Sequence, residues 1–290
     1  MEEYYQKQLN ESYNGRLNEL FEEWKASCSE SDRAADRFCE DGLTLKYKDV
    51  ESGYDINAEW ERAARRIMFI VKDCPDGWGY DTRRLLVGYP DNEASRKGAD
   101  KTRNLKGGFF KNIAVMLYEL YNMTEENKGK ELNDGAKDIG RLKTLFNEVP
   151  FAYVEAKKLA GGKKCDDAVL TQTLEKDGQL LAREIDILRP NIIVCCDTHG
   201  IIFDSVVRNY FNGIVPDDAH RWVYKYGDSP YDFECKLYYY KDEGALLFNS
   251  YHPTSQGKEA WTVRERVCSP FRQFFARYRT FDVVSKPIQR

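Results

Sequence analysis

The sequence predicts an α/β protein in which helices cover both faces of a central, mostly parallel sheet of four strands. Two observations predict this class. Strand-like apolar runs alternate along the chain with segments of helical periodicity, and each apolar run is continuous instead of alternating with polar residues. Continuous apolar strands are typical of parallel sheets that are covered on both faces. The expected architecture is therefore a three-layer α/β/α fold.

Four apolar runs supply the strands of this sheet. In chain order they are RIMFIVKD, PFAYVEAK, NIIVCCD and GALLFNSYHP. A further segment near residues 221–241 has two aromatic, β-rich runs on either side of a Gly-Asp-Ser-Pro turn, which is the pattern of a hairpin. We expect this hairpin to be an addition to the four-stranded sheet.

Helical patterns occupy the segments between the strands. These segments are INAEWERAAR, GGFFKNIAVMLYELYNM, DIGRLKTLFNEV, CDDAVLTQTLEKDGQLLAREIDIL, THGIIFDSVVRNYF and TVRERVCSPFRQFFARYRTF. In the longest of them, Asp166 or Asp167 stands near the expected N-cap and Pro190 ends the helix. Thr198 or its neighbours are expected to begin the helix that follows the third strand.

The first 56 residues differ from the rest of the chain. Residues 12–39 carry apolar side chains at roughly helical spacing among many charges, and predict one or two helices. Residues 40–56 have no clear period and contain turn formers, so they are expected to be a connector. We therefore expect an N-terminal helical extension over 1–56 and an α/β/α domain over 57–290.

The composition limits the kinds of partner. A formal net charge of −4 argues against coating nucleic acid by bulk electrostatics, although a local basic groove stays possible on an acidic protein. No apolar run approaches the roughly 18 residues of a membrane span, and the N-terminus lacks a signal-peptide pattern, so we expect no membrane partner and a cytoplasmic location. The eight cysteines contain no C-x-x-C pair and no zinc or iron–sulfur spacing, so we expect them to be reduced and mostly structural.

Polar side chains stand at or beyond the ends of all four predicted strands. Ligands of an open parallel sheet bind beyond the carboxyl ends of its strands, so this is where a site is expected. The residues at these ends, in strand order, are Asp73 and Asp76, Glu155 and Lys157, Asp197 and His199, and Asn249 and His252. Asp197 and His199 also suit helix capping and packing, whereas a carboxylate inside an apolar run, as at Glu155, is costly unless it is paired or functional.

Two neighbouring segments each have a structural and a functional interpretation. Trp78 and Tyr80, flanked by Gly77 and Gly79, either pack over the end of the sheet or stack on a planar ligand such as a base. The basic segment RKGADKTRNLKGG, which contains Lys106, is either a solvated loop or a rim that contacts phosphate.

Taken in order, four motifs resemble those of the uracil-DNA glycosylase superfamily. VKDCPDGWGYD resembles its G-Q-D-P-Y-H loop, with Asp73 at the aspartate and Cys74 inserted before Pro75. FFKNIAVMLYEL resembles its helix S-L-x-N-I-Y-x-E-L, and LRPNIIVCCDTHGIIF is similar to the strand and helix that carry L-W-G-x-x-A. YHPTS followed by FRQFF resembles H-P-S-P followed by F-x-x-x-N. The resemblance covers about residues 60–280.

The resemblance implies a DNA glycosylase that hydrolyses the N-glycosidic bond of a flipped, uracil-like or otherwise modified base in base-excision DNA repair. Asp73 would orient a water and stabilise the cationic sugar, and His252 would donate to a base carbonyl oxygen as charge builds there. The other implied contacts are, for the base, Glu155, Asn249, Trp78, Tyr80 and Phe109, and, for phosphate, Thr254, Ser255 and Lys106. The expected partner is DNA, single-stranded or with a flipped base, and no cofactor or metal is expected.

The sequence departs from the family where the phenylalanine that usually stacks on the base has no clear counterpart in the insert before Phe109, and also at two further positions. Glu155 stands where the family usually has the asparagine that binds the edge of uracil, and Asp197 replaces a glycine. A glutamate accepts hydrogen bonds where asparagine both donates and accepts, so Glu155 favours a base edge rich in donors unless it is protonated.

Two other functions are consistent with the same residues. Asp73, Asp76, Glu155 and Asp197 together suit Mg²⁺ or Mn²⁺ in a metal-dependent phosphoesterase, since hard cations prefer oxygen ligands. A catalytically degenerate module that binds nucleic acid or a nucleotide is the remaining alternative.

Overall fold

A computed structural model describes residues 1–34, 37–47, 52–75, 81–124, 126–127, 137–162, 165–197, 199–224, 234–254 and 260–278. Its centre is one sheet of seven strands in the order β1-β3-β2-β4-β7-β6-β5. The strands are β1 Gly42–Leu43, β2 Ile67–Pro75, β3 Ala152–Gly161, β4 Ile192–Cys196, β5 Arg221–Tyr224, β6 Cys235–Tyr240 and β7 Ala245–Ser250. The four central strands, β3, β2, β4 and β7, are parallel to one another.

The expected number of four strands is wrong, although the α/β class is confirmed. The four predicted strands form the parallel centre of the sheet, and three antiparallel strands extend it at both sides. β1 pairs with β3, and the predicted hairpin, which is β5 and β6, joins the same sheet through pairing of β6 with β7. A hairpin edge has unpaired backbone groups, and pairing them with β7 satisfies them.

Ten α-helices are described. They are α1 Glu2–Asn10, α2 Ser12–Ser27, α3 Glu30–Ala34, α4 Ile56–Arg62, α5 Glu93–Arg103, α6 Gly108–Asn122, α7 Ile139–Glu148, α8 Asp167–Leu188, α9 Ile201–Asn209 and α10 Ala260–Arg277, with 3₁₀ turns at Thr82–Arg84 and Asp218–His220. Most of the basic segment that suggested a loop belongs to α5. Asn92 caps this helix by accepting from the Ser95 N–H, 3.0 Å away. Only Ala99 and Thr102 of α5 are buried, so it has no apolar period.

Helices lie on both faces of the sheet. Successive strand residues alternate between two hydrophobic clusters: Met68 and Ile70 belong to one, and Phe69 and Val71 to the other. The first cluster also contains buried residues of α2, α8 and α9, and the second contains those of α6, α7 and α10. This alternation is the pleat of strands that are covered on both sides.

Both ends of α8 follow the sequence signals. Asp166 caps α8, as predicted, and accepts from the Ala168 N–H over 2.8 Å. α8 ends at Leu188, and Arg189 adopts a left-handed conformation directly before Pro190.

No helix in the described part of the chain is both long and apolar enough to cross a membrane. No disulfide bond joins any of the eight cysteines.

Candidate active site

The four parallel strands bring Asp73, Glu155, Asn249 and His252 towards one edge of the sheet. Val71 pairs with Glu155, and two residues further on Asp73 pairs with Lys157. His252 follows β7, which lies three strand spacings from β3 in the sheet. At about 4.8 Å for each spacing, roughly 14 Å separates the backbones of β3 and β7, with the ends of β2 and β4 between them.

Asp73 forms an ion pair with Lys157 at the end of β2. The Lys157 Nζ lies 3.2 Å from the Asp73 Oδ2, and only 9% of the aspartate side chain is exposed. Burial raises the pKa of Asp73 above its usual value, and the charge of Lys157 opposes this shift. Gly161 at the end of β3 makes room for the carboxylate, because a Cβ there would overlap the Asp73 Oδ2. Lys157 therefore favours the ionised form of a partly desolvated carboxylate.

His252 is held as a neutral imidazole with one defined tautomer. The Thr254 N–H donates to the His252 Nδ1 over 3.3 Å, and the Thr254 hydroxyl lies 2.8 Å from the same atom. A backbone N–H can only donate, so Nδ1 is the acceptor and the ring hydrogen is assigned to Nε2. Burial, followed by the charge of Lys72, lowers the pKa of His252 to about 4. The result is a neutral ring whose Nε2–H is available as a donor.

Glu155 is fully buried, with 0% of the residue exposed. Neither of its carboxyl oxygens makes a hydrogen bond of ordinary geometry with the described residues, and the Tyr153 side chain lies near enough to interact with the carboxyl group. Its own N–H donates to the Asp41 Oδ2 over 2.7 Å, which places a second carboxylate close behind it. Burial raises the pKa of Glu155 well above its usual range, and the neighbouring Cys74 and Asp41 shift it in the same direction.

Phe109 links the two ends of the candidate site. Its ring centroid lies 5.4 Å from that of His252 and 6.3 Å from that of Tyr153, which precedes Glu155 by two residues on the same face of β3. Phe109 is only partly buried. The same helix is tied to the His252 segment by Asn112, whose Nδ2 donates to the Pro253 carbonyl over 2.6 Å. The Phe109 ring therefore lies on the same side of the sheet as the Glu155 side chain.

Asn249 is the last predicted base contact on the strands. It pairs with Cys195 in the β4–β7 register. Its Oδ1 is buried and has no hydrogen-bond partner among the described residues. A Cβ at Gly200 would lie 3.0 Å from the Asn249 Nδ2, so the amide packs closely against the backbone at the start of α9.

Asp197 and its neighbours hold helix ends. The Asp197 Oδ2 accepts from the Ile201 N–H over 2.7 Å and Oδ1 accepts from the Ile202 N–H over 3.3 Å, so its carboxylate caps α9. The helix begins after Gly200, and Thr198 lies outside the described residues. His199 forms an ion pair with Asp167, which also pairs with Lys72 over 2.5 Å. The capping interpretation of Asp197 is confirmed.

The predicted phosphate contacts have different surroundings. Thr254 contacts His252, as described above, while Lys106 lies in the turn between α5 and α6 with 66% of its side chain exposed. The Lys106 Nζ is 3.9 Å from the Asp100 Oδ2. Three predicted contacts and one further carboxylate lie outside the described residues: Trp78, Tyr80, Ser255 and Asp76.

Three residues at this edge were missed by sequence reasoning. Tyr153, Lys72 and Asn112 each contact or electrostatically influence a candidate residue. Tyr153 had a usable signal, because Tyr153, Glu155 and Lys157 alternate along one strand and must share a face. Lys72 and Asn112 gave no such signal, since their contacts join residues far apart in the chain.

The comparisons with known proteins identify no relative. No family model, curated protein or solved structure matches this chain.

Proposed function

We propose that the protein is a hydrolase of N-glycosidic bonds that acts on a base flipped out of DNA, in the manner of the uracil-DNA glycosylases that its motifs resemble. The observation that carries this proposal is the fixed neutral tautomer of His252. Its Nε2–H lies at the sheet edge where Asp73 supplies a carboxylate. A fixed donor and a carboxylate on opposite sides of a bond suit a reaction that separates charge across that bond.

The two groups have complementary roles in the proposed reaction. Water adds to the anomeric carbon of the sugar, the bond from that carbon to the base nitrogen breaks, and its electron pair leaves with the base. Asp73 accepts a proton from the water and stabilises the cationic sugar. His252 donates a hydrogen bond to a carbonyl oxygen of the base as negative charge develops there, which is typically worth about 10² to 10³ in rate.

The surrounding residues support binding of a flat ring. Because the ends of β2 and β4 lie between β3 and β7, a flat ring that contacts both Glu155 and His252 would lie over these strand ends. Phe109, partly buried beside His252 and Tyr153, offers an aromatic face for stacking. A flipped base would then lie between Glu155 on one side and His252 on the other.

The metal-dependent alternative has less support. Both carboxylate oxygens of Asp197 already accept backbone N–H groups of α9, and the ammonium of Lys157 lies beside Asp73 where a metal ion would compete with it. The described residues contain no group of three side chains suited to hold a metal ion. A protein that binds nucleic acid without catalysis would use the same contacts. An assay of base release distinguishes it from a hydrolase.

The test is base release from end-labelled single- and double-stranded oligonucleotides that contain uracil, hypoxanthine, xanthine or 5-hydroxymethyluracil. Abasic sites are cleaved with alkali, and every reaction is run with and without EDTA. We expect alkali-dependent breaks that resist EDTA and fall at least about 100-fold in Asp73→Asn and in His252→Ala.

Each other outcome favours a different function. Breaks that require no alkali and disappear in EDTA would favour the phosphoesterase. The absence of breaks, with oligonucleotide binding retained, would favour the binding module. Arg62→Met is a suitable control variant, because Arg62 is an exposed side chain at the end of α4 that pairs only with Glu59 within its own helix in the described structure.

A further inference from the structure

The buried carboxyl group of Glu155 is, with the Asn249 Oδ1, one of the polar groups at this edge that lack a hydrogen-bond partner of ordinary geometry among the described residues. It has no exposed surface, and both oxygens lack such hydrogen bonds within the described ranges. Such a group is costly to bury unless a ligand completes its hydrogen bonds. Glu155 is therefore positioned to be completed by a bound molecule.

The charges around Glu155 favour its neutral form. Asp41 accepts from the Glu155 N–H and supplies a negative charge nearby, while the positive charge of Lys158 is shared between Asp41 and Glu184, at 2.6 and 2.7 Å. The titratable and charged groups that face Glu155 are Tyr153 and Lys158 on β3, Cys74 on β2, and Cys39 and Asp41 before β1. None of these groups is a cation that pairs with Glu155 alone. Loss of the Glu155 proton would therefore leave a buried negative charge without a counter-charge.

A neutral carboxyl group differs from both an amide and a carboxylate in what it recognises. It offers one O–H donor beside one carbonyl acceptor, and the proton can sit on either oxygen. It therefore pairs with an N–H beside a carbonyl, as at position 4 of uracil, and equally with a ring nitrogen beside an amino group, as at position 4 of cytosine. An ionised carboxylate would pair with neither arrangement in full.

We propose that Glu155 binds the edge of the flipped base as a neutral acid, so that the enzyme accepts 2-oxopyrimidines with either an oxo or an amino group at position 4. This inference rests on the proposed function, which supplies the base and the site. His252 donates to the oxygen at position 2, which both kinds of base carry. Phe109 contributes a stacking face that does not distinguish them.

The first test measures binding apart from hydrolysis. Isothermal titration of free uracil and free cytosine into the wild-type protein and into Glu155→Gln and Glu155→Ala is run at several pH values at which neither base titrates. We expect dissociation constants within about tenfold of each other for the two bases, whereas a site with a fixed order of donor and acceptor would differ by about 100-fold or more. Glu155→Gln, which is neutral at every pH, should bind both bases, and Glu155→Ala should bind neither.

The pH dependence separates a neutral acid from a structural carboxyl group. Wild-type affinity should fall as the pH is raised and Glu155 loses its proton, whereas Glu155→Gln should show no such fall. Loss of binding in Glu155→Gln would overturn the proposal, because the two side chains have nearly the same shape. Thermal unfolding of each variant identifies one that fails to fold.

The second test distinguishes failure of this inference from failure of the proposed function. Base release is measured on single-stranded oligonucleotides that contain uracil or cytosine. Release of both bases at rates within about tenfold supports both proposals, and release of uracil alone overturns the role of Glu155 while the hydrolase stands. Binding of both free bases without release overturns the hydrolase and keeps the assignment of Glu155. If the protein neither binds the free bases nor releases them from DNA, both proposals are overturned.

Discussion

Two residues of the candidate site have protonation states that follow from where the fold buries them. Thr254 points both of its donors at the His252 Nδ1, and burial keeps the ring neutral. Glu155 is buried beside another carboxylate, which also favours its neutral form. Asp73 differs from Glu155 because Lys157 lies 3.2 Å from it. One edge of the sheet therefore presents a carboxylate, a neutral acid and a neutral imidazole.

The lowered pKa of His252 predicts a dependence of stability on pH. Its folded-state pKa is about 4, below the ordinary 6.5, so the unfolded chain binds more protons between these values. The contribution of His252 to the free energy of unfolding is therefore fully present above about 6.5 and is lost as the pH falls towards 4. Chemical denaturation of the wild type and of His252→Asn at a series of pH values measures this contribution.

Asp73 and Glu155 have raised pKa values, so they change the free energy of unfolding with the opposite sign over the same pH range. The contribution of His252 is therefore measured as the difference in this free energy between the wild type and His252→Asn. We expect the wild type to lose more stability than His252→Asn as the pH falls from about 6.5 to about 4. Equal losses in the two proteins would show that the ring is not kept neutral by the fold.

At the scale of single elements, the end of β3 controls where the Asp73 carboxylate can lie. Asp73 and Lys157 pair across β2 and β3, and the register between these strands shifts after Asp73. Gly161 lies at the same end of β3, and the Asp73 Oδ2 occupies the space that a Cβ at this position would fill. This glycine is needed for close approach and not for an unusual backbone angle.

Gly161→Ala should therefore lower the rate of base release by at least about tenfold, because the Asp73 carboxylate must move. Gly162→Ala is the matched control, since a Cβ at Gly162 meets nothing within 4 Å. Rate constants from single-turnover assays and unfolding midpoints are compared for the two variants. If both retain the wild-type rate, the position of Asp73 does not depend on the end of β3.

The elements that the sequence predicts well are those with their own local signal. The four parallel strands and α6 to α10 have continuous apolar runs or a helical period, and the predicted locations agree with the structure. α1 and α5 were missed because few of their residues are buried, as Ala99 and Thr102 of α5 illustrate. The sheet was predicted with too few strands because pairing of β6 with β7 joins residues whose partners cannot be identified from periodicity.

The same limit applies to the candidate site. The strand ends predicted that Asp73, Glu155, Asn249 and His252 would meet at one edge, since parallel strands share a direction. The partners that decide their chemistry come from elsewhere in the chain, as with Asp41 behind Glu155. These contacts cannot be predicted from the spacing of residues in the sequence.

At the scale of the whole molecule, one buried ionic cluster joins three parts of the chain. Lys158 on β3 forms ion pairs with Asp41, next to β1, and with Glu184 on α8, and all three side chains are at most 1% exposed. Burial, followed by the charge of Asp41, raises the pKa of Glu184 well above its usual range. Burial and the charge of Asp41 therefore favour the neutral form of Glu184, while Lys158 pairs with both carboxyl groups.

Lys158→Met should destabilise the protein by about 3 to 5 kcal/mol, because it leaves a buried carboxylate without its counter-charge. Glu184→Gln should change the free energy of unfolding by much less, since it keeps a neutral group of similar shape. Lys97→Met removes an exposed ion pair within one helix and should cost at most about 0.5 kcal/mol. Denaturant unfolding of the three variants measures these differences, and a mild effect of Lys158→Met would contradict the assigned charges.

The short outer strands of the sheet also bear on how the protein behaves at high concentration. β1 has two residues and β5 has four, while the long parallel strands lie between other strands. An outer strand exposes unpaired backbone groups on which another chain can align, and a short strand gives such an alignment little length. The fold thus confines its most apolar, β-prone segments to the interior of the sheet, which protects the native state against fibrillar self-association.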